Sequence, residues 1–340
     1  MLLASASICS LACAQAVSPP FDANYSLVDM GSPPLVPANF GGLVIRTSEP
    51  NALYICGGAN GVSGALYRVA LERDASGHIS GWGCSETVYV SSAPFNDGGL
   101  IFLPSGVAAF TVYPYNQIGQ ILPGDTAPIG NIDLTAFGVS GTVGALGLVP
   151  AGFPGAGRLK VATYSTGFWY DAAYTTNPNG TISISGVGPL INIGGGPEGI
   201  AFVPGGNPNF PVDSIVVTEY GTGWVVAYEA DANGDPIPAT RRAFLTGISG
   251  AEGAAIDPLT GDFLFSTYGG GNRIWRATGF TESATCIGDL DNSGQVDGAD
   301  LGRLLAAWGP CPGCQADLNG DCVVDGVDLG IILGKWGPCP

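Results

Sequence analysis

Four segments of this 340-residue chain repeat one frame, and that repeat constrains the fold more than any other feature. Each begins with Gly or Glu, has an apolar residue four positions later and a proline two positions after that. They are GGLIFLP from Gly98, GALGLVP from Gly144, EGIAFVP from Glu198 and EGAAIDP from Glu252, with starts 46, 54 and 54 residues apart. Each frame leads into a β-rich run ending at a tyrosine: TVY at Tyr113, ATY at Tyr164, TEY at Tyr220 and STY at Tyr268. A fifth, degenerate copy starts at Gly41, with Thr47 in place of the proline and Tyr54 as its tyrosine. A unit of this size carrying several strands cannot bury both faces of its own sheet, so neighbouring units must cover them.

The composition agrees. There are 55 glycines and only 11% charged residues, which suits short strands and tight turns better than long surface helices. Hydrophobic residues at 46% suffice for a core. These features predict an all-β fold, a β-propeller over residues 22–280, with five blades and six as the alternative. The last copy runs out of strands at Phe280, while YSLVDMG from Tyr25 precedes the first copy. That N-terminal strand is expected to complete the last blade and close the ring. The copies from Glu198 and Glu252, above all AIDPLTGDFLFSTYGGGNRIWRA, resemble blades of NHL-type and gluconolactonase-type propellers. The resemblance implies ligand- or metal-binding carboxylates beside the central channel, here Glu198 and Glu252. Tyrosines recurring at repeat positions favour packing, and Asp257 and Asp262 flank a turn.

A second region, 286–339, follows a short linker, 281–285. It aligns with itself at an offset of 28: CIGDLDNSGQVDGADLGRLLAAWGPC from Cys286 and CQADLNGDCVVDGVDLGIILGKWGPC from Cys314. Each copy holds a twelve-residue loop of EF-hand type. Calcium takes six to eight oxygen ligands, so carboxylates must converge from one tight turn. Loop positions 1, 3, 5, 9 and 12 are Asp289, Asp291, Ser293, Asp297 and Asp300 in the first copy. In the second they are Asp317, Asn319, Asp321, Asp325 and Asp328. Position 7 is Gln295 or Val323, each offering a backbone carbonyl, and position 8 is Val296 or Val324, expected to pack on the partner loop. A helical pattern, LGRLLAAW or LGIILGKW, follows each loop and none precedes it.

A duplicated loop followed by a helix, with Asp at position 12, resembles a type I dockerin over the 54 residues from Cys286 to Cys339. The resemblance implies two bound calcium ions and a cohesin-like partner. The small residues Gly298-Ala299 and Gly326-Val327 stand where dockerins help to read that partner. Position 6 is Gly294 in the first loop but Cys322 in the second. A side chain is disfavoured in that sharp turn, so the second site is expected to be weaker, or its cysteine to be held by a disulfide.

A net charge of −17 repels phosphate backbones and argues against a nucleic-acid partner. Residues 1–16 read as a secretory signal peptide, a short apolar run ending at Ala14-Gln15-Ala16. No later apolar stretch is long enough to span a membrane, so a secreted, extracellular or cell-surface location is expected. After cleavage Cys56, Cys84, Cys286, Cys311, Cys314, Cys322 and Cys339 remain. In an exported protein these are expected to pair. In the tail the candidate pairs are Cys286–Cys311 with Cys314–Cys339, or else Cys311–Cys314. Cys56–Cys84 would pair within one propeller repeat, leaving Cys322 odd. The one histidine, His78, reads as a surface-loop residue, and no catalytic residue is assigned. The expected function is that of a secreted calcium-binding protein with a docking tail, its propeller a binding module for an unidentified ligand. The alternative is an extracellular carbohydrate-active hydrolase or lyase, with the propeller as its catalytic domain.

Overall fold

The computed structural model describes residues 15–339 apart from 75, 85–86, 281–285, 292 and 313. The expected signal peptide lies outside the described residues except for Gln15 and Ala16, and the expected linker lies outside them altogether.

Five antiparallel sheets surround a central channel, so the chain is a five-bladed β-propeller. Each blade runs outward from an innermost strand that carries the repeated frame. Blade 1 comprises Leu43–Arg46, Glu49–Gly57, Ala65–Arg73 and Ile79–Trp82, with Val88–Ser92 also paired to Ala65–Arg73. Blade 2 comprises Asn96–Phe102, Ala108–Val112, Gln117–Ile121 and Gly130–Asp133. Blade 3 comprises Val143–Leu148, Leu159–Thr163, Phe168–Thr176 and Ile182–Val187. Blade 4 comprises Pro197–Val203, Ser214–Glu219, Trp224–Glu229 and Arg242–Thr246, with the short strand Ala16–Val17 on its outer edge.

Blade 5 is made from both ends of the propeller. Ala251–Ile256, Phe263–Thr267 and Ile274–Thr278 supply three strands, and Ser26–Asp29 supplies the fourth. Ser26 lies opposite Thr278 and Asp29 opposite Trp275, in the strand expected to close the ring. The sixth-blade alternative falls away.

The sequence builds this arrangement because the middle strands are apolar on both faces. All of Ser214–Glu219 and all of Phe263–Thr267 are buried. A strand buried on both faces needs cover on both sides, and each blade supplies it to its neighbour. Five separate apolar clusters result, one per blade interface, represented by Ile55 with Leu264, Leu66 with Phe110, Ile118 with Tyr170, Val217 with Trp169, and Val203 with Phe263.

The tail has two nine-residue helices, Gly298–Ala306 and Gly326–Gly334. Each starts in a reciprocal cap. The Asp297 and Asp325 side chains accept from Ala299 N and Val327 N, while Asp300 and Asp328 reach back to the N–H groups of Asp297 and Asp325. Val296 and Val324 are fully buried in one tail cluster with Leu304 and Ile332. Their strands do not pair with each other. Gln295–Val296 pairs with Gly337–Pro338, and Val323–Val324 with Gly309–Pro310, so each loop is closed by the segment beyond the other loop's helix.

The cysteines pair differently from most of the expected scheme. The bridges are Cys84–Cys322, Cys286–Cys339 and Cys311–Cys314. Only Cys311–Cys314 was among the expected pairs. Because the two ends of the tail meet in the strand pairs, Cys286 reaches Cys339 and not Cys311. Cys56 faces the blade 1–2 core as a buried free thiol, out of reach of Cys84. Cys322 is not odd but joins the tail to blade 1.

Candidate functional site: a carboxylate trio under a tyrosine collar, and two aspartate loops

The innermost strands of blades 2 to 5 share an irregularity. Pairing skips between Asn96 and Leu100, Val143 and Ala145, Pro197 and Gly199, and Ala251 and Ala254. A bulge of this kind lifts one residue out of the ladder and re-aims its side chain. Asp97, Glu198 and Glu252 lie in these skips, and their side chains turn into the channel.

Glycine makes the room. The five frame starts are Gly41, Gly98, Gly144, Glu198 and Glu252. A Cβ at Gly98 or Gly144 would strike Glu198, and one at Gly41 would strike Asp97 and Asn96. Three small frame starts therefore create the space that the acids fill. Hydroxyls two residues before three of the four tyrosines each donate to the frame-start carbonyl of the next blade. Thr111 Oγ1 donates to the Gly144 carbonyl (2.9 Å), Thr218 Oγ1 to that of Glu252, and Ser266 Oγ to that of Gly41 (2.6 Å).

The three carboxylates converge. Asp97, Glu198 and Glu252 are 2%, 3% and 1% exposed, and one oxygen from each lies within 4.8 Å of the others. Asp97 Oδ2, Glu198 Oε2 and Glu252 Oε1 are buried with no hydrogen-bond partner. Asn60 lies against Asp97; in the amide orientation that satisfies both its atoms it donates to Oδ1 at 3.2 Å. Burial pushes the Asp97 carboxyl up to about 7. Burial first, and then the neighbouring acids, lift Glu198 and Glu252 well above the usual carboxylate range. Three such groups cannot all be ionised at this spacing without compensation, so the trio holds either protons or a cation.

Above the acids stands a collar of tyrosines. Tyr113, Tyr164, Tyr220 and Tyr268 meet edge to face in sequence, at centroid separations of 6.1, 5.8 and 6.3 Å. With Asn60 and the three acids they line a cavity of about 220 Å³. Each tyrosine N–H closes its blade's inner hairpin, as in Tyr220 N to Gly196 O at 2.9 Å. In blade 1 the equivalent bond comes from Ala59, donating to Asn39 O at 2.9 Å. Ala59, not Tyr54, is therefore the blade 1 counterpart. Tyr54 lies in the outer core, where its hydroxyl donates to Glu49 at 2.6 Å.

Glu198 and Glu252 were expected at the channel and are there. Asp97 and Asn60 were missed. Asp97 immediately precedes the frame start Gly98, so an acid beside a frame was the available signal. His78 lies away from the cavity, its Nδ1 2.7 Å from Asp262 Oδ2. Asp257 accepts from Leu259 N (3.3 Å) and the Thr260 hydroxyl (2.6 Å), the turn role expected of it, and also forms an ion pair with Arg73.

In the tail the structure draws the loop residues into two matching nets. Asp289 accepts from Ser293 N (2.9 Å) and Gly294 N (2.8 Å); Asp317 accepts from Asp321 N (3.1 Å) and Cys322 N (2.9 Å). Asp300 Oδ1 accepts from Leu290 N and Asp291 N, as Asp328 Oδ1 does from Leu318 N and Asn319 N. Oxygens of Asp289, Asp291 and Asp300 lie within 4.8 Å of one another. Gln295 and Val323 begin the short strands, and Asp297 and Asp325 cap the helices. Ser293 Oγ turns to the Gln295 carbonyl, 3.2 Å away. The loops differ in surroundings: Ser293 and Gly294 are exposed, whereas Asp317, Asn319 and Gly320 are buried against the propeller.

No protein-family model matches this chain, and no curated protein matches it. Solved structures do. A glutaminyl cyclase from Myxococcus xanthus is 11% identical, with 76% of this chain and 97% of that chain covered and a TM-score of 0.43. A putative gluconolactonase is 12% identical, with 79% and 99% covered and a TM-score of 0.42. An auxiliary nutrient binding protein from Bacteroides ovatus is 11% identical, with 75% and 76% covered and a TM-score of 0.41.

Proposed function

We propose that this chain is an exported calcium-binding protein. Its tail is a dockerin-like module that holds two calcium ions and docks a cohesin-like partner, and its propeller is a binding module. The observation that carries this reading is the congruence of the two loops. The same backbone N–H groups are held by the same aspartates at an offset of 28, leaving the carboxylates gathered on one turn. That donor set, carboxylates and carbonyls on a glycine-bent loop, is what a hard cation takes. Three disulfides support export. Calorimetric titration of the metal-stripped full chain tests the reading. It should show two calcium equivalents in the tail, with one lost in Asp291→Ala and the other in Asp321→Ala. A chain that takes up no calcium through these loops would overturn it.

A second reading is favoured by the carboxylate trio, whose buried, unpartnered oxygens suit a divalent cation held by Asp97, Glu198 and Glu252. Such an ion would polarise a substrate carbonyl or acidify a bound water, the chemistry of a hydrolase or lyase. The chain itself supplies the shape: the tyrosine collar narrows access and the bulged strands fix the acids. Wild-type activity on a panel of polysaccharides and lactones, lost in Glu198→Gln/Glu252→Gln, would replace the binding reading by this one.

A further inference from the structure

We propose that Cys84 sets the calcium affinity of the second tail loop, by holding through its disulfide the left-handed turn that glycine makes in the first. The proposal rests on the calcium reading of the loops. At position 6 Gly294 has φ +84° and Cys322 has φ +70°. For a residue with a side chain that conformation is disfavoured. It also carries the loop: the N–H of position 6 donates to the position 1 carboxylate in both copies, Gly294 to Asp289 and Cys322 to Asp317. If Cys322 relaxed to negative φ, the chain that follows it would swing away, taking the Val323 carbonyl, Asp325 and Asp328 from their places opposite Asp317.

The propeller prevents this. Cys84, just beyond Ile79–Trp82 of blade 1, is bonded to Cys322. The same side of the loop is pinned by Arg73 N donating to Asn319 O (2.5 Å) and Asn51 Nδ2 donating to Asp317 O (3.1 Å). Gly320, at φ +80°, lies against the Leu71 carbonyl, where a Cβ would collide. At Gly294, by contrast, a Cβ would meet nothing within 4 Å. The first loop is therefore shaped by its own glycine. The second is shaped by blade 1, with Cys84 as a positioning residue acting through Cys322. A turn held in place before the ion arrives removes an ordering cost from binding.

The test uses the full chain with Asp291→Ala to silence the first loop, and reads calcium affinity against a competing chelator. Cys84→Ser/Cys322→Ser removes the tether and leaves a side chain in the turn; its affinity should fall roughly tenfold. Cys84→Ser/Cys322→Gly also lacks the disulfide but restores glycine, and should recover most of that loss. Both variants lose the same cross-link, so a general destabilisation would weaken them equally. Unchanged affinity in the Ser/Ser variant would overturn the proposal, as would a Ser/Gly variant no tighter than Ser/Ser. No calcium uptake by the second loop with its cysteines intact would overturn the loop reading and this role together.

Discussion

Arg73 and Asp257 form a two-pronged ion pair across the joint between blade 1 and blade 5, at 2.7 and 2.9 Å, with neither side chain exposed. The guanidinium is satisfied on every edge. Nη1 also donates to Gly77 O, Nη2 to Pro50 O and Nε to Asn51 Oδ1. Arg73 N then reaches the tail through Asn319 O. One residue thus fixes the ring joint, the turn before His78 and the seat of the second loop.

Removing half of that pair should be severe, because the other half keeps its charge in a dry site. Asp257→Asn is expected to cost about 3–5 kcal/mol in urea denaturation. Replacing both, as Arg73→Met/Asp257→Leu, should be severe too, because Gly77 O, Pro50 O, Asn51 Oδ1 and the Thr260 hydroxyl would lose their partners. A single variant within about 0.5 kcal/mol of wild type would show that the pair is solvated in solution.

The N-terminal segment is predicted to be integral to the propeller. Phe21 is fully buried against Phe210 and Phe244, at 5.0 and 5.1 Å between ring centroids, just before the ring-closing strand Ser26–Asp29. Phe21→Ala should destabilise by about 3–5 kcal/mol, read as a lowered melting temperature. A shift of under one degree would mean that the Phe21 ring does not anchor the segment.

What the sequence made legible follows from what repeats. The frame, the tyrosine runs and the two loops recur in register, so the propeller, its favoured five blades and the two duplicated turns were readable from periodicity. Features present once were not. Asp97 lies one residue before its frame start, so alignment of the copies hides it. Ala59 stands where the other blades have a tyrosine, and Tyr54 is the nearby tyrosine of that copy in sequence but not in place. Cys322–Cys84 spans 238 residues between two regions that look independent, and nothing local at either cysteine announces the other.

Cys56 gives a direct check on the disulfide scheme. Burial pushes its thiol far above the ordinary range, so the reactive thiolate is suppressed in the native state. Protein lacking residues 1–16 should release no thiol to an aromatic disulfide reagent when native. In denaturant without reductant it should release one. Three thiols would instead mean that one of the three bridges is open.

The carboxylate trio predicts an unusual pH dependence. Asp97, Glu198 and Glu252 all have native pKa values raised above their unfolded ones, Asp97 to about 7. Between the unfolded pKa values near 4 and the native ones, the native state therefore binds more protons than the unfolded state. Stability from these groups is fully present below about pH 4 and is lost as pH rises through the native pKa values. Metal-stripped protein should thus melt at a lower temperature at pH 7.5 than at pH 5. Glu198→Gln/Glu252→Gln should flatten that slope, because amides cannot acquire the charge that burial penalises. A divalent cation held by the trio should restore the melting temperature at pH 7.5 in wild type and not in the double variant. To separate this from the tail, the comparison is made in an Asp291→Ala/Asp321→Ala background. A metal-stripped protein that grows more stable from pH 5 to pH 7.5, and no less so in the double variant, would mean that water reaches the acids in solution.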